Sequence, residues 1–90
     1  MPAKKDPRTP FGVAIRSKRK ARGLSQAELS ALCGWSQAKL SQLETGDRMP
    51  SLLDVVALAP PLEVDPSWLS MLAIESLRAP QMLNGSEANA

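Results

Sequence analysis

The stretch Gly23 to Gly46, GLSQAELSALCGWSQAKLSQLETG, leaves this chain little freedom, because it writes two short capped helices joined by a glycine turn. Ser25 precedes Gln26, Ala27 and Glu28, so its hydroxyl can accept the backbone N–H three residues on while the Glu28 carboxylate reaches back. That reciprocal capping box starts a helix. Leu29, Leu32 and Cys33 follow at three- and four-residue spacing and predict one buried face. Gly34 ends the helix, since a left-handed residue there turns the chain without a Cβ penalty. Ser36 caps a second helix whose apolar seam is Leu40 and Leu43, and Gly46 closes it. A connection of about three or four residues is what a helix-turn-helix requires.

The outer face of the second helix carries Gln37, Lys39, Ser41 and Gln42. A glutamine amide can pair bidentately with N6 and N7 of adenine in the major groove. On an arbitrary helix such residues are ordinary solvated groups. Placed after a capped, glycine-turned partner helix, they read as base-reading side chains.

Gly23 to Pro50 resembles the helix-turn-helix of the lambdoid phage repressor and Cro family, also called the Xre family. The resemblance is carried by the run Gly23-Leu24-Ser25-Gln26-Ala27-Glu28-Leu29, by Gly34, by Ser36-Gln37, and by Gln42-Leu43-Glu44 followed by Gly46. With the flanking helices it covers residues 10 to 72. It implies an all-α, five-helix bundle with the helix-turn-helix at helices 2 and 3. It further implies that Gln37, Ala38, Ser41 and Gln42 face base edges, with Ala38 against a thymine methyl, and that Gln26 and Ser36 hold phosphates. Arg19 and Glu44 match a structural ion pair of the phage repressors. Lys39, Arg48 and Arg16 are added as phosphate contacts on charge alone. Two positions depart from the family pattern. Trp35 stands where a smaller apolar residue is usual and is expected to fill core space, and Pro60-Pro61 stand where the fourth helix commonly continues.

Composition fits a small binding module. Ninety residues allow one domain with a modest core, and a chain of that size gains from association. One cysteine, Cys33, cannot form an internal disulfide and reads as a small buried hydrophobe. The absence of histidine leaves a zinc site or a histidine-dependent catalytic set nothing to be built from; no enzyme activity, metal or cofactor is expected. No apolar run reaches the ~18 to 20 residues that span a bilayer, and MPAKKDPRTP lacks a secretion-signal core. A cytoplasmic protein with no membrane partner is expected. The net charge of +2 conceals an asymmetry: residues 1–23 hold eight basic residues and one acid, whereas the remainder hold three basic residues and eight acids. A basic end beside a recognition helix suits phosphate binding.

Residues 1–9, with two prolines and mixed charge, read as a mobile basic arm, 10–78 as the DNA-binding domain, and 79–90 as a flexible tail. Thr9 and Pro10 start the first helix, which turns Phe11, Ala14, Ile15 and Lys18 to one side and ends near Arg22 and Gly23. Ser51, facing Asp54, starts the fourth, which buries Leu52, Val55, Val56 and Leu58 until Pro60 forces the chain out by Ala59. Asp65 and Pro66 start the fifth. Its apolar residues Trp68, Leu69, Met71, Leu72, Ala73, Ile74 and Leu77 surround nearly the whole helix, more than a unit this small can cover. Two-fold pairing through Trp68, Leu69, Met71 and Leu72 would bury the remainder. It would also set two reading helices about one DNA turn, ~34 Å, apart.

The function expected from the sequence is therefore a repressor-like transcriptional regulator that binds double-stranded DNA, at a palindromic operator, as a homodimer. The alternative is an antitoxin that captures a toxin protein through its tails or fifth helix while repressing its own operator. A helix-turn-helix reused for protein contacts alone would show no specific DNA binding.

Overall fold

Each helix begins where a side chain can serve the unpaired amides of its first turn. Thr9 Oγ1 accepts from Gly12 N at 3.0 Å at the head of α1 (Pro10–Ala21), with Pro10 in the first helical position. Ser25 and Glu28 complete the expected capping box of α2 (Gln26–Cys33), and Ser36 accepts from Lys39 N to start α3 (Gln37–Thr45). A second full capping box, Ser51 with Asp54, starts α4 (Leu52–Leu62). Asp65 accepts from Ser67 N ahead of α5 (Pro66–Ala88). The computed structural model describes residues 9–88, with side chains from 9 to 77. These residues form an all-α, five-helix unit with no strand; all of the expected arm but Thr9 lies outside them.

The glycine turn behaves as its sequence requires. Gly34 adopts φ 76°, its N–H meets Ala31 O at 3.1 Å, and Trp35 N meets Ser30 O at 2.8 Å. This paired closure satisfies the last carbonyls of α2.

The core draws on every helix: Phe11 and Ile15 from α1, Leu29 from α2, Leu40 and Leu43 from α3, Val55, Leu58 and Leu62 from α4, and Leu69 and Ala73 from α5. Trp35 and Cys33 are half-buried against this cluster, as core residues of the turn and of α2. Several expected faces are rotated. Leu32 is 62% exposed, and Ser30 is buried in its place with its hydroxyl donating to Gln26 O. On a helix of 3.6 residues per turn, Leu32 stands about 110° from the centre of the face that Leu29, Ser30 and Cys33 turn inward. In α1 the stripe continues through Arg19, and Ala14 is only half-buried and Lys18 exposed. In α4, Leu52 and Val56 are exposed; Asp54, Ala59 and Leu62 are buried instead, because this helix turns its Val55–Leu58–Leu62 edge to the bundle.

Helix α4 does not stop at Ala59. It runs through Pro60 and Pro61 to Leu62. A proline forfeits one donor to the carbonyl four residues back. For Pro61 that carbonyl is Ala57 O, and the Cys33 thiol donates to it instead at 3.5 Å. The helix ends at Glu63, the non-glycine residue with positive φ (57°), closed by Glu63 N to Pro60 O and Val64 N to Ala59 O. The backbone of α5 likewise continues past the expected boundary at 78, through Ala88. Gln81, Met82 and Leu83 are good helix formers, and Pro80 removes a single donor.

Two long-range fits lock α1 in place. Ser76 of α5, wholly buried, accepts from Phe11 N at 2.9 Å and donates to Leu72 O at 2.8 Å, so a distant helix caps an amide of α1. Gly12 lies against the end of α3: a Cβ there would stand 2.5 Å from Glu44 O and 2.6 Å from Leu43 O. Both neighbours are backbone atoms that cannot swing aside. Gly12→Ala is therefore expected to destabilise the fold by about 2 kcal/mol or more, despite the better helix propensity of alanine. Urea unfolding checks this; an unchanged or raised midpoint contradicts the close approach.

Candidate nucleic-acid interface

Helix α3 is anchored from beneath by Leu40, Leu43 and Glu44, all buried. Its opposite side shows Gln37, Ala38 and Gln42 exposed and Ser41 half-buried. Thr45, which sequence reasoning passed over, falls on the same side by helical spacing, and its hydroxyl donates to Gln42 O and to Asp47 Oδ2. The four expected base-reading residues thus share one face.

Beneath that face lies a charged cluster. Arg19 grips Glu44 with two bonds, Nε to Oε2 at 2.7 Å and Nη2 to Oε1 at 3.1 Å, and its third arm donates to Leu24 O at 2.9 Å. Gln26 Nε2 donates to Glu44 Oε1 at 2.9 Å, and Gln37 Nε2 donates to Gln26 Oε1 at 3.3 Å. The first residue of α2 and the first of α3 are therefore joined, and both trace back to one buried carboxylate. No described buried side-chain polar atom in the chain lacks a partner.

The residues expected to meet phosphate divide. Gln26 and Ser36 sit at the starts of α2 and α3, where backbone N–H groups and the helix dipole favour anions. Arg48 is exposed beside α3, with Nε donating to Gln42 Oε1 at 2.9 Å. Arg16 is half-buried on α1. Lys39 is turned away from the face that Gln37, Ala38, Ser41 and Gln42 share. It pairs with Asp54 at 2.8 Å and lies over the Trp35 ring, 4.4 Å from the centroid. Part of the basic segment is also engaged within the protomer: Arg19 on buried Glu44, and at the surface Lys18 over the Trp68 ring and Arg22, the C-cap of α1, on Glu63 at 2.6 Å.

Burial opposes the charged form of Asp54, but the Lys39 ammonium and the Ser51 N–H outweigh it and hold this carboxyl below its ordinary value of 3.8. Burial pushes the Cys33 thiol above 9.0 against the nearby Lys39 charge. The thiol stays protonated at neutral pH and able to donate to Ala57 O.

A helix-turn-helix family model matches residues 15–69. Among solved structures, the restriction-modification controller protein C.AhdI from Aeromonas hydrophila is 36% identical with a TM-score of 0.64, covering 68% of this chain and 92% of its own. The P22 c2 repressor in complex with a synthetic operator is 32% identical (TM-score 0.61, covering 66% and 89%). SinR, a master regulator for biofilm formation solved with DNA, is 28% identical (TM-score 0.62, covering 66% and 95%). No curated protein matches the chain.

Because Asp54 has a lower pKa folded than unfolded, its ionised form stabilises the fold at neutral pH. That contribution is lost as pH falls through the ordinary carboxylate range near pH 4 and below. Asp54→Asn is expected to be less stable than wild type at pH 7 and to lose less on acidification from pH 6 to 3. Chemical denaturation across that range checks it; equal acid losses in the two proteins contradict the assignment.

Proposed function

Since the chain belongs to the helix-turn-helix family of DNA-binding transcriptional regulators, we propose that it is a repressor-like regulator that binds a palindromic operator as a homodimer in the cytoplasm. The observation that carries this reading is the outward face of α3, where Gln37, Ala38, Ser41 and Gln42 stand together above the fixed Glu44 cluster. An α-helix fits the major groove, where amide and methyl groups distinguish base edges. Gln26, Ser36 and Arg48 would fix the register on the backbone, and Arg16 would add affinity by charge. Lys39, held by Asp54, contributes to the fold in this reading. The action is occupancy of DNA rather than catalysis. The relatives are controllers and repressors, which favours a regulator over an antitoxin.

The homodimer rests on unburied apolar surface. Trp68, Met71, Ile74 and Leu77 on α5 and Leu52, Leu53 and Val56 on α4 are exposed. The expected interface is adjusted accordingly: Leu69 is wholly buried in the protomer and Leu72 packs half-buried against its core, because their side of α5 faces the bundle. Trp68 and Met71 remain, and Ile74 and Leu77 on the same helix adjoin Leu52 of α4. A patch shared by two helices suits an isologous contact.

Gln37→Ala is expected to cost about 1–3 kcal/mol at one base position and to relax the preference there. Binding titrations against single-base operator variants at fixed salt measure this; equal weakening on every variant would make Gln37 a backbone contact. Equilibrium sedimentation at micromolar concentration is expected to return a dimer mass, reduced towards monomer by Met71→Asp. A monomer mass for the wild-type chain would sink the two-fold arrangement.

A further inference from the structure

Gln37 and Gln42 carry the same amide, yet their neighbours hold it by opposite ends. Gln42 is held by its oxygen: Arg48 Nε donates to Gln42 Oε1 at 2.9 Å, and Arg48 N reaches Gln42 O at 3.2 Å, so the arginine is tethered by both backbone and side chain. A guanidinium has five donors and no acceptor. The amide therefore presents its oxygen to Arg48 and its NH2 outward. Gln37 is held by its nitrogen. An ionised Glu44 only accepts, so Gln26 must offer its NH2 to Glu44 and its oxygen to Gln37 Nε2. That leaves Gln37 a carbonyl oxygen and one N–H, the donor–acceptor pair that fits adenine.

We propose that Arg48 is a positioning residue that sets the polarity of Gln42, so that the amide gives its oxygen to Arg48, turns its NH2 to DNA and selects guanine or thymine at that base. Guanine offers two acceptors in the major groove, N7 and O6, and thymine offers O4. Adenine offers N7 alone beside an exocyclic amine, and cytosine only an amine, from which an outward NH2 cannot accept. This rests on the reading of α3 as a DNA-reading helix. It goes further in giving two chemically identical side chains different codes.

Selection from random duplex DNA at fixed salt tests it, using wild type, Gln42→Ala, Arg48→Ala and Arg48→Lys. The Gln42→Ala variant identifies the base concerned, as the position whose preference it relaxes. Wild type is expected to select guanine or thymine there. Arg48→Ala, which lets the amide rotate, is expected to raise adenine at that position about fivefold or more relative to guanine, the low end of a bidentate contact's discrimination. Arg48→Lys, whose ammonium also donates to Oε1, is expected to retain the wild-type choice. Arg48 is exposed, and thermal unfolding of each variant verifies the fold. Adenine or cytosine in the wild-type selection, or uniform weakening by Arg48→Ala with unchanged preference, overturns the proposal while leaving DNA reading intact. If wild type enriches no sequence, the reading of α3 fails and this proposal with it.

Discussion

The carboxylate of Glu44 is the point on which the geometry of the helix pair depends. It is buried at the inner side of α3 and receives donors from α1 through Arg19 and from α2 through Gln26. Arg19 also donates to Leu24 O, in the segment that joins α1 to α2. One acid thereby fixes three helices and a connection relative to one another. Such a cluster is weak grounds for stability, since desolvating two charges offsets much of their attraction, but removal of one partner strands the other at a cost of about 3–5 kcal/mol. Its stronger effect is on orientation. Apolar packing tolerates small rotations of α3, whereas a bidentate arginine–carboxylate pair does not.

A second polar tie runs from α3 to α4, where Lys39 meets Asp54 against the face of the Trp35 ring. Asp54 serves twice, as the return arm of the capping box at Ser51 and as the counter-ion of Lys39. The cap of one helix and the placement of another thus share a side chain. Near the far end of α4 the Cys33 thiol serves a carbonyl that Pro61 cannot, so α2 supports a turn of helix with two prolines. Both ties join the α2–α3 pair to α4, and α4 carries part of the exposed apolar surface. Orientation set at Glu44 is in this way continuous with the rest of the bundle.

Local chemistry was legible in the sequence and distant chemistry was not. Thr9, Ser25, Ser36 and Ser51 announce helix starts because a cap is satisfied within three residues, and Gly34 announces a turn because left-handed backbone favours glycine. That Gln37, Ala38, Ser41 and Gln42 share one side of α3 followed from the same register. What failed depended on partners far along the chain. The Asp54 partner of Lys39 was not foreseen, and Leu32 looked inward because three-residue spacing does not say where a face is centred. Pro60 and Pro61 signalled a stop that a thiol on another helix helps to avert. The roles of Gly12 and Ser76 left no local mark, as each is defined by a helix end that only the folded chain brings near.

The surface amides of α3 show how a small protein can hold long side chains ready for use. Ordering a glutamine side chain costs about 1.5–2 kcal/mol of rotamer freedom, and an exposed hydrogen bond returns only about 0.5–1.5 kcal/mol. Neither Gln37 nor Gln42 would stay put on that exchange alone. Each is restrained by a partner itself fixed by other bonds: Gln26 by Glu44, and Arg48 by its backbone link to Gln42 O. Ordering that precedes binding need not be met again when a ligand binds. The orientation follows from chemistry as well, because a carboxylate cannot donate and a guanidinium cannot accept. Two fixed groups of opposite hydrogen-bonding character, the Glu44 carboxylate acting through Gln26 and the Arg48 guanidinium, therefore decide which end of each amide is left to face outward.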